Sequence, residues 1–230
     1  MISGDRLIDI DNMRLDIVQK VFPAFGEAAR PIDLFERERP EIFALPVKTP
    51  FEEWMVVALF NFETGGAVEK SVSLSRLDLD PRQKLLAFEF WQQRLLGEVH
   101  GELRMLVPPA SVGLIALRKN RGTPQIIATD RHFTQGGVEL RNVSWNAESK
   151  TLEAVSLGGL GTRHTVMVHI PTGFVLGPSH TSAYALEPDA PELPHDFEGY
   201  SVTSLPNGLA RIAINFEKHA EVPWRLAFEK

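Results

Sequence analysis

The sequence predicts an all-β protein: two antiparallel β-sandwich lobes preceded by a short N-terminal helix. Three observations lead there. The stretch Leu77 to Lys119 alternates with a period of two, with Leu86, Phe88 and Phe90 on one face and Leu85, Glu89 and Trp91 on the other. Turn signals recur at short intervals along the whole chain, among them Gly65-Gly66, Pro108-Pro109, Gly136-Gly137 and Pro206-Asn207-Gly208. After Phe22 no apolar pattern of helical period is long enough to specify a helix.

Residues 1–40 read as a helix and a connector. Asp11 or Asn12 supplies a short polar acceptor for the free N–H groups of a first turn. Leu15, Val18 and Phe22 then fall on one stripe, widened by Ile17 and Val21, and Pro23 ends the segment. A helix this short is unstable alone, so the stripe needs a partner. Ala24 to Pro40 is irregular and charge-rich.

Residues 41–120 form the first lobe. Glu41 to Val47 is a strand between Pro40 and Pro46. Trp54 to Phe62 (WMVVALFNF) is the strongest strand of this half, and Gly65-Gly66 reads as the hairpin turn that returns it along Ala67 to Leu74. Glu98 and Glu102 flank Gly101, as on a second hairpin. Val112 to Leu117 is apolar on both faces, which suits a strand in the middle of a sandwich.

Residues 121–230 form the second lobe, entered through the polar RKNRGT run. Its strands lie at Gln125 to Thr129, Val138 to Trp145, Thr151 to Leu157, His164 to Ile170, Phe197 to Leu205, Leu209 to Phe216 and Val222 to Phe228. A proline-rich stretch, Pro171 to Asp196, interrupts them.

Composition narrows the function. With 43% hydrophobic and 23% charged residues the chain is globular rather than disordered. No stretch approaches the ~20 apolar residues of a membrane helix, so no membrane partner is expected. The formal net charge is −6 and no basic cluster stands out, which argues against a nucleic-acid surface. The absence of cysteine removes disulfides, thiolate nucleophiles and cysteine zinc sites together. The N-terminus lacks a signal-peptide apolar core; with Met1 as the native start, a cytoplasmic protein is expected.

Motifs that carry chemistry are few. The densest polar cluster is Asp130, Arg131 and His132. In the catalytic reading Asp130 orients His132 as a general base and Arg131 meets an anion; in the structural reading they form a turn and an ion pair between lobes. No metal site and no cofactor are expected. His164 and His169 point to opposite faces of one strand, and His180, His195 and His219 lie in turn-like contexts. The acidic set Asp5, Asp9, Asp11 and Asp16 lacks calcium-loop spacing and fits helix-start charge instead. Glu89, Glu98, Glu102 and Glu139 include no pair marked out for glycoside hydrolysis. Core packing accounts for Trp54, Trp145 and Trp224. Trp91 is the exception: beside Gln92 and Arg94 it makes a candidate carbohydrate platform, a ring face with amide and guanidinium groups for sugar hydroxyls.

Four motifs, in order, carry a resemblance: RPIDLFE (Arg30 to Glu36), WMVVALFN (Trp54 to Asn61), FEFW (Phe88 to Trp91) and PPASV (Pro108 to Val112). Over Gly4 to Lys119 the chain resembles the C-terminal β-sandwich region of α-galactosidase-like (melibiase-type) glycoside hydrolases, in which a (β/α)₈ barrel precedes the sandwich. TDRHFTQGGVEL (Thr129 to Leu140) looks like a further β extension of such proteins. The family's catalytic aspartates sit at barrel strand ends, and no position here matches them. The resemblance therefore implies a non-catalytic accessory region that buttresses a barrel or assists carbohydrate binding. The stripe of Leu15, Val18 and Phe22 becomes the expected contact with that barrel or with a second subunit. Two alternatives stand beside it: a stand-alone carbohydrate-binding sandwich, and an independent enzyme with its site at the lobe interface near Asp130 and His132.

Overall fold

The computed structural model describes residues 10–177 and 199–230. Asp5, Asp9, His180, His195 and most of the proline-rich stretch lie outside the described residues. The α-helix α1 (Asn12–Gln19), the one among the described residues, starts where the Asp11 cap places it. Asp11 is the N-cap, and its carboxylate accepts from the Arg14 N–H at 2.9 Å. No residue of α1 is fully buried; Met13, Ile17, Val21 and Phe22 are exposed, with Leu15 and Val18 half-buried.

The first eight strands are β1 (Arg30–Pro31), β2 (Ile42–Lys48), β3 (Glu53–Asn61), β4 (Val68–Ser73), β5 (Leu85–Glu89), β6 (Arg94–Val99), β7 (Glu102–Val107) and β8 (Ser111–Lys119). Six of them form one antiparallel sheet in the order β1-β2-β3-β8-β5-β6, and β4 pairs with β7 in a second sheet. The apolar run of β8 lies between β3 and β5, as a strand apolar on both faces should. Pro46 sits inside β2 rather than ending it. The two-residue β1 pairs only with Ala44 and Phe43, so Pro46 lies on an open edge where its missing N–H removes no bond.

Both expected hairpins of this half are instead crossovers. After Gly65-Gly66 the chain leaves β3 for the facing sheet, and β4 pairs with β7 from Val68↔Val107 to Ser73↔Glu102. After Gly101 it crosses in the same way from β6 to β7. The glycine turns were legible, but pairing follows the apolar face: Val72, Leu103, Met105 and Val107 are buried only when they close over the six-stranded sheet. Ile42, Ala44, Met55, Val57, Leu59, Ile115 and Leu117 meet them from the other side.

The remaining strands are β9 (Gln125–Thr129), β10 (Leu140–Asn146), β11 (Thr151–Leu157), β12 (Thr162–His169), β13 (Val175–Leu176), β14 (Gly199–Leu205), β15 (Leu209–Phe216) and β16 (Glu221–Glu229). They make two four-stranded antiparallel sheets, β10-β11-β16-β13 and β14-β15-β12-β9. Alternation along each strand sends Leu152, Ala154, Val166, Val168, Ile212, Ile214, Trp224 and Leu226 into the core between them. The architecture is all-β sandwich throughout, with α1 as its one α-helix among the described residues.

The two sets of sheets meet through the outer face of β5. Leu86 and Phe88 pack on Ile127, Ala128, Met167 and Leu209. That contact covers only part of the outer face of the six-stranded sheet. The part formed by β2, β3 and β8 is covered by Phe25, Phe51 and Phe133, which pack on the buried Leu45, Trp54, Val56 and Leu114 and leave an apolar groove open beside them.

Candidate functional site

Strand alternation on β3 puts Trp54, Val56, Ala58 and Phe60 on the outer face, opposite the sandwich core. Leu45 from β2 and Leu114 from β8 join them. The result is a groove of about 250 Å³ lined by Ala29, Phe43, Leu45, Val56, Ala58, Phe60, Leu114 and Phe133, all apolar. Phe43 and Phe60 meet edge to face at 5.6 Å, and Phe60 stacks on Phe62 at 5.3 Å. The groove continues toward α1, because Phe133 donates its backbone N–H to Lys20 O at 3.0 Å. Ile17, Val21, Phe22 and, in the connector, Leu34 and the almost wholly exposed Phe35 are exposed as well, and Phe22 lines a separate cleft with Arg131, Val138 and Leu157.

The Asp130-Arg131-His132 cluster holds the end of that helix. Lys20 Nζ donates to Asp130 O at 3.1 Å, Arg131 Nη1 to Gln19 O at 2.9 Å, and His132 Nε2 to Pro23 O at 3.0 Å. The Arg131 contact adds a second donor to the Gln19 carbonyl, which also accepts from the Phe22 N–H, at the helix C-terminus where a cation is favoured by the helix dipole.

Asp130 does not orient His132. Its Oδ1 accepts from the Thr165 N–H at 2.7 Å, and burial pushes its pKa up. His132 Nδ1 lies 2.7 Å from Thr134 Oγ1, so both ring nitrogens are engaged within the protein. Burial is the main reason its pKa falls to about 4, with the Arg131 charge acting in the same sense. A neutral imidazole that donates from Nε2 and accepts at Nδ1 satisfies all these contacts. Asp130, Arg131 and His132 thus each contact the N-terminal segment, as a clasp on its end.

Behind the clasp lies a buried network that sequence reasoning missed. Arg118, at the end of β8, is 1% exposed. Its guanidinium stacks over the Trp54 ring at 3.5 Å and donates to Ile127 O at 3.1 Å, to Gln135 O at 2.7 Å and to the Glu52 carboxylate. Trp54 Nε1 donates to Thr134 O at 2.9 Å. Glu139 is also buried, which pushes its pKa up; it accepts from the Thr129 hydroxyl and from the Val138 N–H. Nothing local in the Leu-Arg-Lys end of β8 distinguishes this arginine from a solvated one. Its burial depends on Glu52, far away in the sequence.

Trp91, Gln92 and Arg94 sit together at the β5-β6 turn. Trp91 is 43% exposed and meets Phe90 edge to face at 4.9 Å, while the Gln92 N–H donates to Glu89 Oε2 at 2.6 Å. Gln92 and Arg94 are both exposed. Trp54 and Trp224 are core residues and Trp145 is half-buried against Phe174 and Phe228. His164 is buried against Phe216 and His169 is half-buried, on opposite faces of β12. Among the described residues no group of three or more histidine, aspartate or glutamate side chains is placed to hold a metal ion, and no helix is long and apolar enough to cross a membrane.

The chain matches no protein-family model and no curated protein sequence. Solved structures similar to it include α-galactosidase I from Mortierella vinacea, at 16% identity and TM-score 0.32 over 40% of this chain and 23% of that one. A GH27 β-L-arabinopyranosidase from Geobacillus stearothermophilus aligns at 17% identity and TM-score 0.37, over 51% of this chain and 26% of that one. An isomalto-dextranase from Arthrobacter globiformis T6 aligns over 87% of this chain and 38% of that one, at 16% identity and TM-score 0.29. The chain thus spans about a quarter of the first two proteins and under half of the third.

Proposed function

We propose that this protein is a non-catalytic accessory module of an α-galactosidase-like glycoside hydrolase, and that it buttresses a (β/α)₈ catalytic barrel. The observation that carries this reading is the apolar groove over β2, β3 and β8, taken with the exposed Ile17, Val21 and Phe22 in and after α1. The sequence resemblance over Gly4 to Lys119 names the occupant. The clasp fits the same role: it ties the end of α1 to the loop that carries Phe133, a residue of the groove. The test is recovery of the tagged chain from its source cells. A glycoside hydrolase barrel polypeptide is expected to come with it, and Phe60→Asp is expected to abolish that recovery. Recovery of the chain alone contradicts the reading.

A carbohydrate-binding role is the second reading, favoured by one observation: Trp91 is the most exposed of the four tryptophans and has exposed Gln92 and Arg94 beside it. Trp91→Ala tests it, since loss of glycan binding is expected if the indole is a sugar platform. The third reading, an enzyme at the lobe interface, finds less support. His132 has both ring nitrogens engaged, and Asp130 is held by Thr165.

A further inference from the structure

A second cleft, of about 350 Å³, opens on the outer face of the β10-β11-β16-β13 sheet, away from the groove and the clasp. Its floor is the β11-β16 pair. Two cross-strand pairs face outward there: Glu153↔Arg225 and Val155↔Pro223. The first is an ion pair with Arg225 Nε 2.9 Å from Glu153 Oε1. The second is apolar. Two further side chains wall the cleft. Asn142 projects from the bulge in β10, where the register shifts between Arg141 and Ser144 and its own φ is +52°. Tyr200 comes from β14 and is fixed by its hydroxyl, which donates to Arg225 O at 3.2 Å.

We infer that this cleft binds a neutral pyranose unit. The polar half offers a carboxylate acceptor, guanidinium donors and an amide that does both, which matches vicinal hydroxyls that donate and accept at once. The two charges cancel, so neither an anion nor a cation is selected. The apolar half, Val155 with Pro223 and the Tyr200 ring, takes the C–H face of the sugar. A peptide adding to the sheet is a poor fit: β13 pairs with β16 only at Phe228 and Glu229, but the edge it leaves open presents Pro223, which has no N–H, and Arg225, whose backbone meets the Tyr200 hydroxyl. The volume suits a single ring. This site is independent of the barrel contact, which lies on the other lobe.

The test is an NMR titration of the whole chain with D-galactose, D-glucose and D-mannose. Shifts are expected at Glu153, Val155, Arg225, Asn142 and Tyr200 with at least one of these sugars. Glu153→Gln and Arg225→Gln, exposed substitutions that leave the melting temperature unchanged, are expected to weaken that binding by about tenfold or more. Val155→Lys, which blocks the apolar half and spares the ion pair, is expected to do the same. Trp91→Ala is expected to leave it intact. The inference is overturned if none of the three sugars binds, or if binding survives these substitutions and is lost with Trp91→Ala.

Discussion

His132 Nε2 donates to Pro23 O at 3.0 Å across a sequence separation of 109 residues. This bond joins the N-terminal segment to the loop that follows β9. Since no residue of α1 is fully buried, its position depends on few contacts besides those to Asp130, Arg131, His132 and Phe133. His132→Ala leaves Pro23 O and the Thr134 hydroxyl without this partner. It is expected to cost about 1–3 kcal/mol and to speed tryptic cleavage at Arg14 and Lys20, read by mass spectrometry of timed digests. Unchanged cleavage there would mean that the clasp does not hold the helix.

The same imidazole gives stability a pH dependence. The folded pKa of His132 is about 4 and that of the buried His164 about 3, against an ordinary value of 6.5. The unfolded chain therefore takes up protons first, and stability is lost as pH falls from 6.5 toward 4 and 3. Asp130 and Glu139 act in the opposite sense, because their raised carboxyl pKa values cost stability as pH rises above the ordinary carboxylate range. Urea midpoints at pH 7 and pH 5 isolate the histidine part when wild type is compared with His132→Gln. The variant is expected to lose less stability on acidification than wild type.

Arg118 and Glu52 form a buried pair at the junction of the two lobes. Removing Arg118 leaves the Glu52 carboxylate with only the more exposed Arg121, 3.3 Å away, as counter-charge. Arg118→Ala is therefore expected to cost about 3–5 kcal/mol in denaturant unfolding, more than Arg104→Ala at an exposed pair. Combining Arg118→Leu with Glu52→Gln is expected to cost less than the sum of the two single substitutions, since both charges are then gone.

Gly208 closes the β14-β15 turn with φ +68°, and a Cβ there would lie 2.5 Å from Ile170 O. The carbonyl cannot move away, because Ile170 is itself bound to Gly208 O through its N–H at 2.6 Å. Gly208→Ala is expected to destabilise by more than about 1 kcal/mol, from positive φ and overlap together. Gly161→Ala shares the positive φ but meets nothing within 4 Å, so thermal unfolding of the two variants separates strain from overlap.

Strands were readable from sequence because alternation is local: β3, β5, β8 and β12 fall where their side-chain pattern places them. So was the Asp11 cap, a contact between neighbours in the chain. Pairing was not readable at Gly65-Gly66 and Gly101, because a glycine turn says that the chain reverses and not which sheet it enters. The role of His132 was hidden for a related reason. Its partner is a backbone carbonyl, Pro23 O, that leaves no mark in the residue type. The Tyr200 cleft was invisible for the same cause, since its walls come from four strands brought together only by register.

The proposed docking of a catalytic barrel on the outer face of β2, β3 and β8, with α1, can be read by hydrogen-deuterium exchange of the chain, alone and with the barrel polypeptide recovered alongside it. Slower exchange is expected in α1, β2, β3 and β8 on complex formation, lost with Phe60→Asp, with no change in β11 and β16. Unchanged exchange across β2, β3 and β8, or protection confined to the second lobe, would contradict it.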